Sequence, residues 1–173
     1  MSDTPASGPQ PRFEIQKLYL KDLSLECPNS PSIFRGEQWQ PQANLQMASQ
    51  SNALDDKAFE IVLTVTVTVT SAGKTAYLAE VQQAGIFTIE HIPQDQVGPL
   101  LGIGCPNILF PFAREVVADL VQKAGFPQHL LPPVNFEAIY AQQLRQRQVA
   151  RSAGAEASPG ELAQPEDDER TRH

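Results

Sequence analysis

Phe59-Glu60-Ile61-Val62-Leu63-Thr64-Val65-Thr66-Val67-Thr68-Val69-Thr70 is the stretch that decides the fold. Leu63, Val65, Val67 and Val69 alternate with Thr64, Thr66, Thr68 and Thr70, the period of two that puts successive side chains on opposite faces of a strand. Valine and threonine are both β-branched and fit a pleated surface, and threonine on alternate positions leaves one face tolerant of water. A half-solvated sheet of this kind is antiparallel. Ser71-Ala72-Gly73-Lys74 then makes a short turn, and Thr75 to Gln82 continues as a second strand with Tyr77, Ala79 and Val81 on one face, so the pair is a hairpin.

Outward from that hairpin, Phe13 to Glu26 is extended, with apolar positions at Phe13, Ile15 and Tyr19 and again at Leu18 and Leu20. Both of its faces are partly covered. Pro28 and Pro31 interrupt regular structure, and Trp39 to Met47 resumes alternation through Trp39, Ala43, Leu45 and Met47. Ile86 to Ile89 extends the fourth strand beyond Gly85, a glycine that inside a strand marks a bulge or a close backbone approach. Two helices follow. The first starts near the cap Asn107, carries Pro111 in its opening turn, and ends before Gly125 and Pro127. Phe112, Val116 and Leu120 adjoin Ala113, Val117 and Val121 along it, a face wide enough to touch both the sheet and another subunit. The second, capped by Asn135, carries Phe136, Ile139, Tyr140 and Leu144 on one side. Four strands and two main helices give an α+β fold.

Length and charge bound the rest. One folded unit is expected in 173 residues, and 15 prolines predict several irregular connections. The expected boundaries are a disordered N-terminal segment over 1–12, a folded domain over 13–148 and a flexible acidic tail over 149–173, where Glu166 to Glu169 is an unbroken acidic run. A net charge of −7 has the wrong sign for gripping nucleic acid phosphates or anionic lipid, and it favours basic partners. The N-terminus is Ser-, Pro- and Gly-rich without the pattern of a secretory signal, and no apolar run approaches the ~18 residues of a membrane span. A cytoplasmic protein without membrane insertion is the expectation.

Reactive groups are sparse. Cys27 and Cys105 stand far apart with no ligand-spaced partner, so free thiols are expected and no metal. Gly102-Ile103-Gly104 lacks the third glycine and the strand–turn–helix setting of a dinucleotide loop and reads as a flexible connection between sheet and helix. His91, His129 and His173 are scattered, with no spacing that marks zinc, acyl-transfer or phosphate chemistry. No catalytic residue and no cofactor are expected. Asp22, Ser24 and Glu26 share one face of the first strand, and Glu80 with Leu78 joins them if the first and fourth strands are neighbours. Such carboxylates serve either as solubilising charge or as a partner site, and Phe34, Trp39, Phe110, Phe112, Phe136 and Tyr140 serve either as core or as binding surface.

Several segments resemble the SecB family of export chaperones in collinear order from about Phe13 to Leu144. They are Lys21-Asp22 through Glu26-Cys27-Pro28-Asn29, Trp39-Gln40-Pro41, Leu78-Ala79-Glu80-Val81-Gln82-Gln83-Ala84-Gly85-Ile86-Phe87, Cys105-Pro106-Asn107-Ile108-Leu109-Phe110-Pro111-Phe112-Ala113-Arg114-Glu115, Phe126-Pro127, and Pro133-Val134-Asn135-Phe136. The resemblance implies a four-stranded antiparallel sheet with the two main helices packed on one side, and a homotetramer built as a dimer of dimers. It implies an ATP-independent holdase that binds unfolded preproteins, with Phe34, Trp39, Phe112, Phe136 and Tyr140 in the client groove. It also implies delivery to the SecA export motor, whose basic segment docks at Asp22, Glu26, Leu78 and Glu80. The tail departs from the family pattern, and Cys27 stands where a small residue is expected. Two other readings share the fold: a related chaperone serving a toxin–antitoxin pair, and a small enzyme acting on an acyl ligand through Cys105 or His91.

Overall fold

The computed structural model describes residues 8–36 and 38–156, with side chains to residue 152. Four long strands, β1 (Arg12–Glu26), β2 (Pro41–Ala53), β3 (Ala58–Ser71) and β4 (Lys74–Glu90), form one antiparallel sheet in the order β1-β4-β3-β2. The β3–β4 hairpin closes on Ala72 and Gly73, both at positive φ (50° and 74°). That geometry makes the two-residue turn whose twist matches the flanking strands. Alternation then sorts the faces. Val65, Val67, Val69, Tyr77, Ala79 and Val81 are buried on the inner face, and Thr64, Thr66 and Thr68 are half-buried on the outer face.

The sequence reading places β3 and β1 to within a residue at each end, carries the fourth strand past Gly85, and errs at the bounds of the second strand. Trp39 lies before β2, which begins at Pro41 and runs to Ala53 without a register shift. The fourth strand is continuous through Gly85, where an added Cβ would meet the Phe87 ring at 2.7 Å, so this glycine marks a close approach. The bulges lie on the partner strand β1, between Ile15 and Lys17 and between Leu20 and Asp22.

The second bulge has a purpose. It frees Lys21 to turn across the outer face to Glu60 of β3 at 2.6 Å, where Tyr19 also donates a hydrogen bond and Asn52 of β2 donates at 3.1 Å. Glu60 is only 9% exposed, and a charge held there needs these partners. Lys21, Tyr19 and Asn52 stabilise its ionised form against desolvation and hold the carboxyl at about 2, below an ordinary 4.5. A depressed carboxyl contributes stability that is fully present above pH 4.5 and lost as pH falls toward 2. Glu60→Gln is therefore expected to lower the unfolding free energy by on the order of 2 kcal/mol at neutral pH. In urea titrations the gap from the parent protein closes as the buffer is acidified.

Beyond the sheet the chain is helical much earlier than its sequence suggests. α1 (Gln94–Pro99) passes through a widened π-type segment (Leu100–Gly104) into α2 (Cys105–Lys123). The first helix thus does not begin at Asn107, Gly102-Ile103-Gly104 is not a flexible connection, and Pro111 lies inside α2. The wide turns fall between Pro99 and Pro106, each of which lacks a backbone donor. Leu109, Ala113, Val117 and Val121 of α2 are buried over β3 and β4. The stretch Gln94–Lys123 is long and apolar enough, by length and composition alone, to cross a membrane, with a window of mean hydropathy 1.3. Its buried side is nevertheless part of the sheet's core.

α2 ends as the sequence predicts. Gly125 adopts φ 88°, its N–H bonds to the Gln122 carbonyl at 3.0 Å, and the Phe126 N–H reaches the Val121 carbonyl at 3.2 Å. This is a Schellman turn, in which a glycine without Cβ takes the left-handed position. α3 (Phe136–Glu156) starts on the Asn135 cap, whose Oδ1 accepts the Ala138 N–H at 2.9 Å. Residues to Tyr140 belong to the unit that contains the sheet, and a second unit begins at Ala141. The described part of that second unit is helical and mostly polar, with Leu144 and Val149 exposed. Helix thus covers 149–156 of the expected tail. Residues 157–173, like 1–7 of the N-terminal segment, lie outside the described residues.

Candidate functional site

Two surfaces carry the residues singled out from the sequence. The first is an aromatic cleft on the side of the sheet that bears the helices. The Schellman turn drives Phe126 inward, where it is 5% exposed and sits 5.0 Å from the Tyr77 ring of β4. Phe34, from a single 3-10 turn at Ser32–Arg35, and Trp39, from the segment before β2, close on the same ring at 4.8 and 5.6 Å. Each keeps a large free surface, 49% exposed for Phe34 and 39% for Trp39. Between them opens a cleft of about 240 Å³ lined chiefly by Ile33, Phe34, Trp39, Gly125, Phe126 and Pro127. Aromatic walls without an obligatory hydrogen-bonding pattern accept apolar side chains of varied shape.

The five aromatic residues expected at a client groove do not form one set. Phe34 and Trp39 meet in the cleft. Phe136 is 3% exposed and packs edge-on against Phe110 at 5.7 Å, so it belongs to the core. Phe112 is 45% exposed on α2, in a stripe that adjoins the sheet-facing one and whose other members, Ile108, Val116 and Leu120, are half-buried at the edge of the core. Tyr140 is half-buried over Gly98 and Gly102. Sequence reasoning missed Phe126 as the centre of the cleft. The available signal was its place directly after a helix-ending glycine, where an apolar residue folds back on the last turn.

The second surface is the outer face of the sheet. β1 pairs with β4 so that Ser24 opposes Glu80, Glu26 opposes Leu78 and Asp22 opposes Gln82. Paired residues of an antiparallel ladder share a face, so Asp22, Glu26, Leu78 and Glu80 lie together on the side away from α2, with alternate β1 residues about 7 Å apart. Thr66 donates a hydrogen bond to Glu80 at 3.1 Å and holds that carboxylate in place. Asp22 and Glu26 are exposed and have no ion-pair partner among the described residues. Lys21, the nearest cation in sequence, is committed to Glu60.

Neither cysteine adds chemistry to these surfaces. Both are free thiols; Cys105 is fully buried and burial pushes it up to about 12, while Cys27 is half-buried and shifted in the same direction. Such thiols are poor nucleophiles.

This sheet-and-helix layer, with an open aromatic cleft on one side and bare carboxylates on the other, defines a protein that works by binding other polypeptides. Comparison with known proteins gives the particular class. Residues 6–147 match the family described as preprotein translocase subunit SecB. The chain is 57% identical over 152 residues to the protein-export protein SecB of Thioalkalivibrio sulfidiphilus, covering 87% of this chain and 89% of that one. It is 55% identical over 151 residues to the same protein of Nitrosococcus oceani, covering 87% and 92%. A SecB-like chaperone of Mycobacterium tuberculosis, solved with a peptide from the HigA1 antitoxin, superposes with a TM-score of 0.59 at 17% identity, over 72% of this chain and 91% of that one. That likeness shows the shared fold. The chain belongs to the SecB family of protein-export chaperones, and it is not an enzyme.

Proposed function

We propose that the protein captures unfolded preproteins in the cytoplasm through its aromatic cleft and hands them to the SecA motor through the outer sheet face, working as a homotetramer without nucleotide. The carrying observation is the cleft itself, in which two accessible aromatic side chains flank a buried third. Unfolded chains present apolar side chains in no fixed order. A cleft that reads ring contact and burial, with no shape beyond that, suits them. Several such clefts on one assembly bind a long client by effective concentration, so each contact stays weak and exchangeable.

The Ile108, Phe112, Val116 and Leu120 stripe supports the assembly. It spans roughly 18 Å along α2, at 1.5 Å per residue, beside the stripe that is buried on the sheet. A helix whose apolar surface runs past its sheet contact as far as an exposed Phe112 has a second neighbour. Two α2 helices packed against each other across a pair of dimers bury this stripe, which assigns Phe112 to assembly. On the outer face, Asp22, Glu26 and Glu80 with Leu78 suit a basic segment carrying an apolar residue, and this favours export over service to an antitoxin.

The test is the refolding rate of a slow-folding, signal-bearing precursor diluted from denaturant. Binding the unfolded form opposes folding by mass action. With chaperone in excess and no nucleotide, the observed rate is expected to fall by more than roughly tenfold, tracking free chaperone concentration. An unchanged rate at saturating chaperone would falsify the reading.

A further inference from the structure

The helical stretch from Gly98 to Gly104 contains three glycines and Pro99, a composition that disfavours helix by roughly 1 kcal/mol per glycine relative to alanine. Two of those glycines share one function. A Cβ at Gly102 would stand 2.5 Å from Cε2 of Tyr140, and one at Gly98 would stand 2.9 Å from its hydroxyl. Spaced four residues apart, the pair forms a notch filled by the Cδ2–Cε2 edge and the hydroxyl of Tyr140. Among the described residues the ring has neither a hydrogen bond from its hydroxyl nor an aromatic neighbour. Ring and notch are both half-buried, so the seat is reachable from solvent.

We propose that the Gly98–Gly102 notch is a second binding site for client aromatic side chains, occupied in the free protein by Tyr140 as an internal stand-in. This rests on the chaperone reading above and adds a selectivity to it. The contact is ring against backbone, with no polar group to distinguish Tyr140 from a phenylalanine, tyrosine or tryptophan of a client. An intramolecular ring has the advantage of effective concentration, and a client exceeds it only when its other segments are already bound. Tyr140 thereby keeps the notch closed to small free ligands and yields it to long clients.

Two variants separate this from a client contact made by Tyr140 itself. Binding is read by fluorescence anisotropy with two labelled unfolded peptides of about the length that fills several clefts, one bearing spaced phenylalanines and the other leucines in their place. Tyr140→Ala vacates the notch and is expected to tighten the phenylalanine peptide by roughly two- to tenfold, the range of one aromatic contact, with the leucine peptide unmoved. Gly102→Ala fills the notch and is expected to weaken the phenylalanine peptide by a similar factor, again sparing leucine. Weaker binding of both peptides by Tyr140→Ala, or equal responses of the two peptides to both variants, overturns the proposal. Failure of the parent protein to bind either peptide defeats instead the chaperone reading on which it stands.

Discussion

Replacing Asp22, Glu26 and Glu80 together by lysine is expected to weaken binding of the export motor's basic C-terminal segment by roughly 100-fold or more, while client capture changes less than twofold. The asymmetry follows from the sheet. These carboxylates are on the outer face and the aromatic cleft is on the other, so reversal of one charge set leaves the cleft walls untouched. The size follows from three like-charge contacts replacing three attractive ones in a site where Asp22 and Glu26 have no competing cation among the described residues. Lys21 does not weaken the field, because Glu60 already holds it at 2.6 Å. Raising ionic strength is expected to reduce binding by the parent protein, since exposed charges are screened within about 8 Å at physiological salt. Leu78→Ala tests the apolar anchor between the charges. It is expected to cost about tenfold in affinity with no change in salt dependence, because it removes contact area without altering charge. Titration calorimetry with the basic peptide reads both variants. Unaltered affinity in the triple lysine variant would remove the outer face from the delivery step.

How much of this was legible in the sequence varies by element. The Val–Thr alternation of β3 has one physical solution, and its hairpin partner follows from Ala72-Gly73, so the centre of the sheet could be read directly. The acidic set was half legible: a period of two put Asp22 and Glu26 on one face, but their meeting with Leu78 and Glu80 depends on β1 lying beside β4, which is a long-range fact. The first helix was misplaced for a local reason. Gly98, Pro99, Gly102, Gly104 and Pro106 together have poor helix propensity, and packing of Leu101 and Ile103 on the core with Tyr140 over the glycines overrides it. Trp39 was assigned to a strand because it fits the alternation that follows. The ring of Phe126 holds it out of β2, and nothing within ten residues of Trp39 announces that. Phe34 and Phe136 look alike in sequence, each an aromatic beside a helical turn. Only tertiary placement makes one a wall of the cleft and the other core.

That difference gives the second large effect. Phe34→Ala with Trp39→Ala is expected to lower affinity for an unfolded client by on the order of 10- to 100-fold per cleft, the loss of two aromatic anchors. Unfolding free energy is expected to fall by less per ring than truncation of a fully buried aromatic costs, because Phe34 and Trp39 are 49% and 39% exposed. Phe126→Ala and Phe136→Ala behave otherwise. Each removes a ring that is 5% or less exposed, and each is expected to destabilise the fold by about 3–5 kcal/mol. Only Phe126→Ala also impairs capture at temperatures where the variant remains folded, since Phe34 and Trp39 lose the ring they close upon. Phe136 supports Phe110 and the start of α3, away from the cleft, so its truncation spares client affinity in the folded fraction. Thermal unfolding and client anisotropy measured on the same preparations separate the four substitutions. Should the Phe34 and Trp39 pair be removed without loss of affinity, client binding resides elsewhere on the molecule, and the exposure of these rings needs another cause.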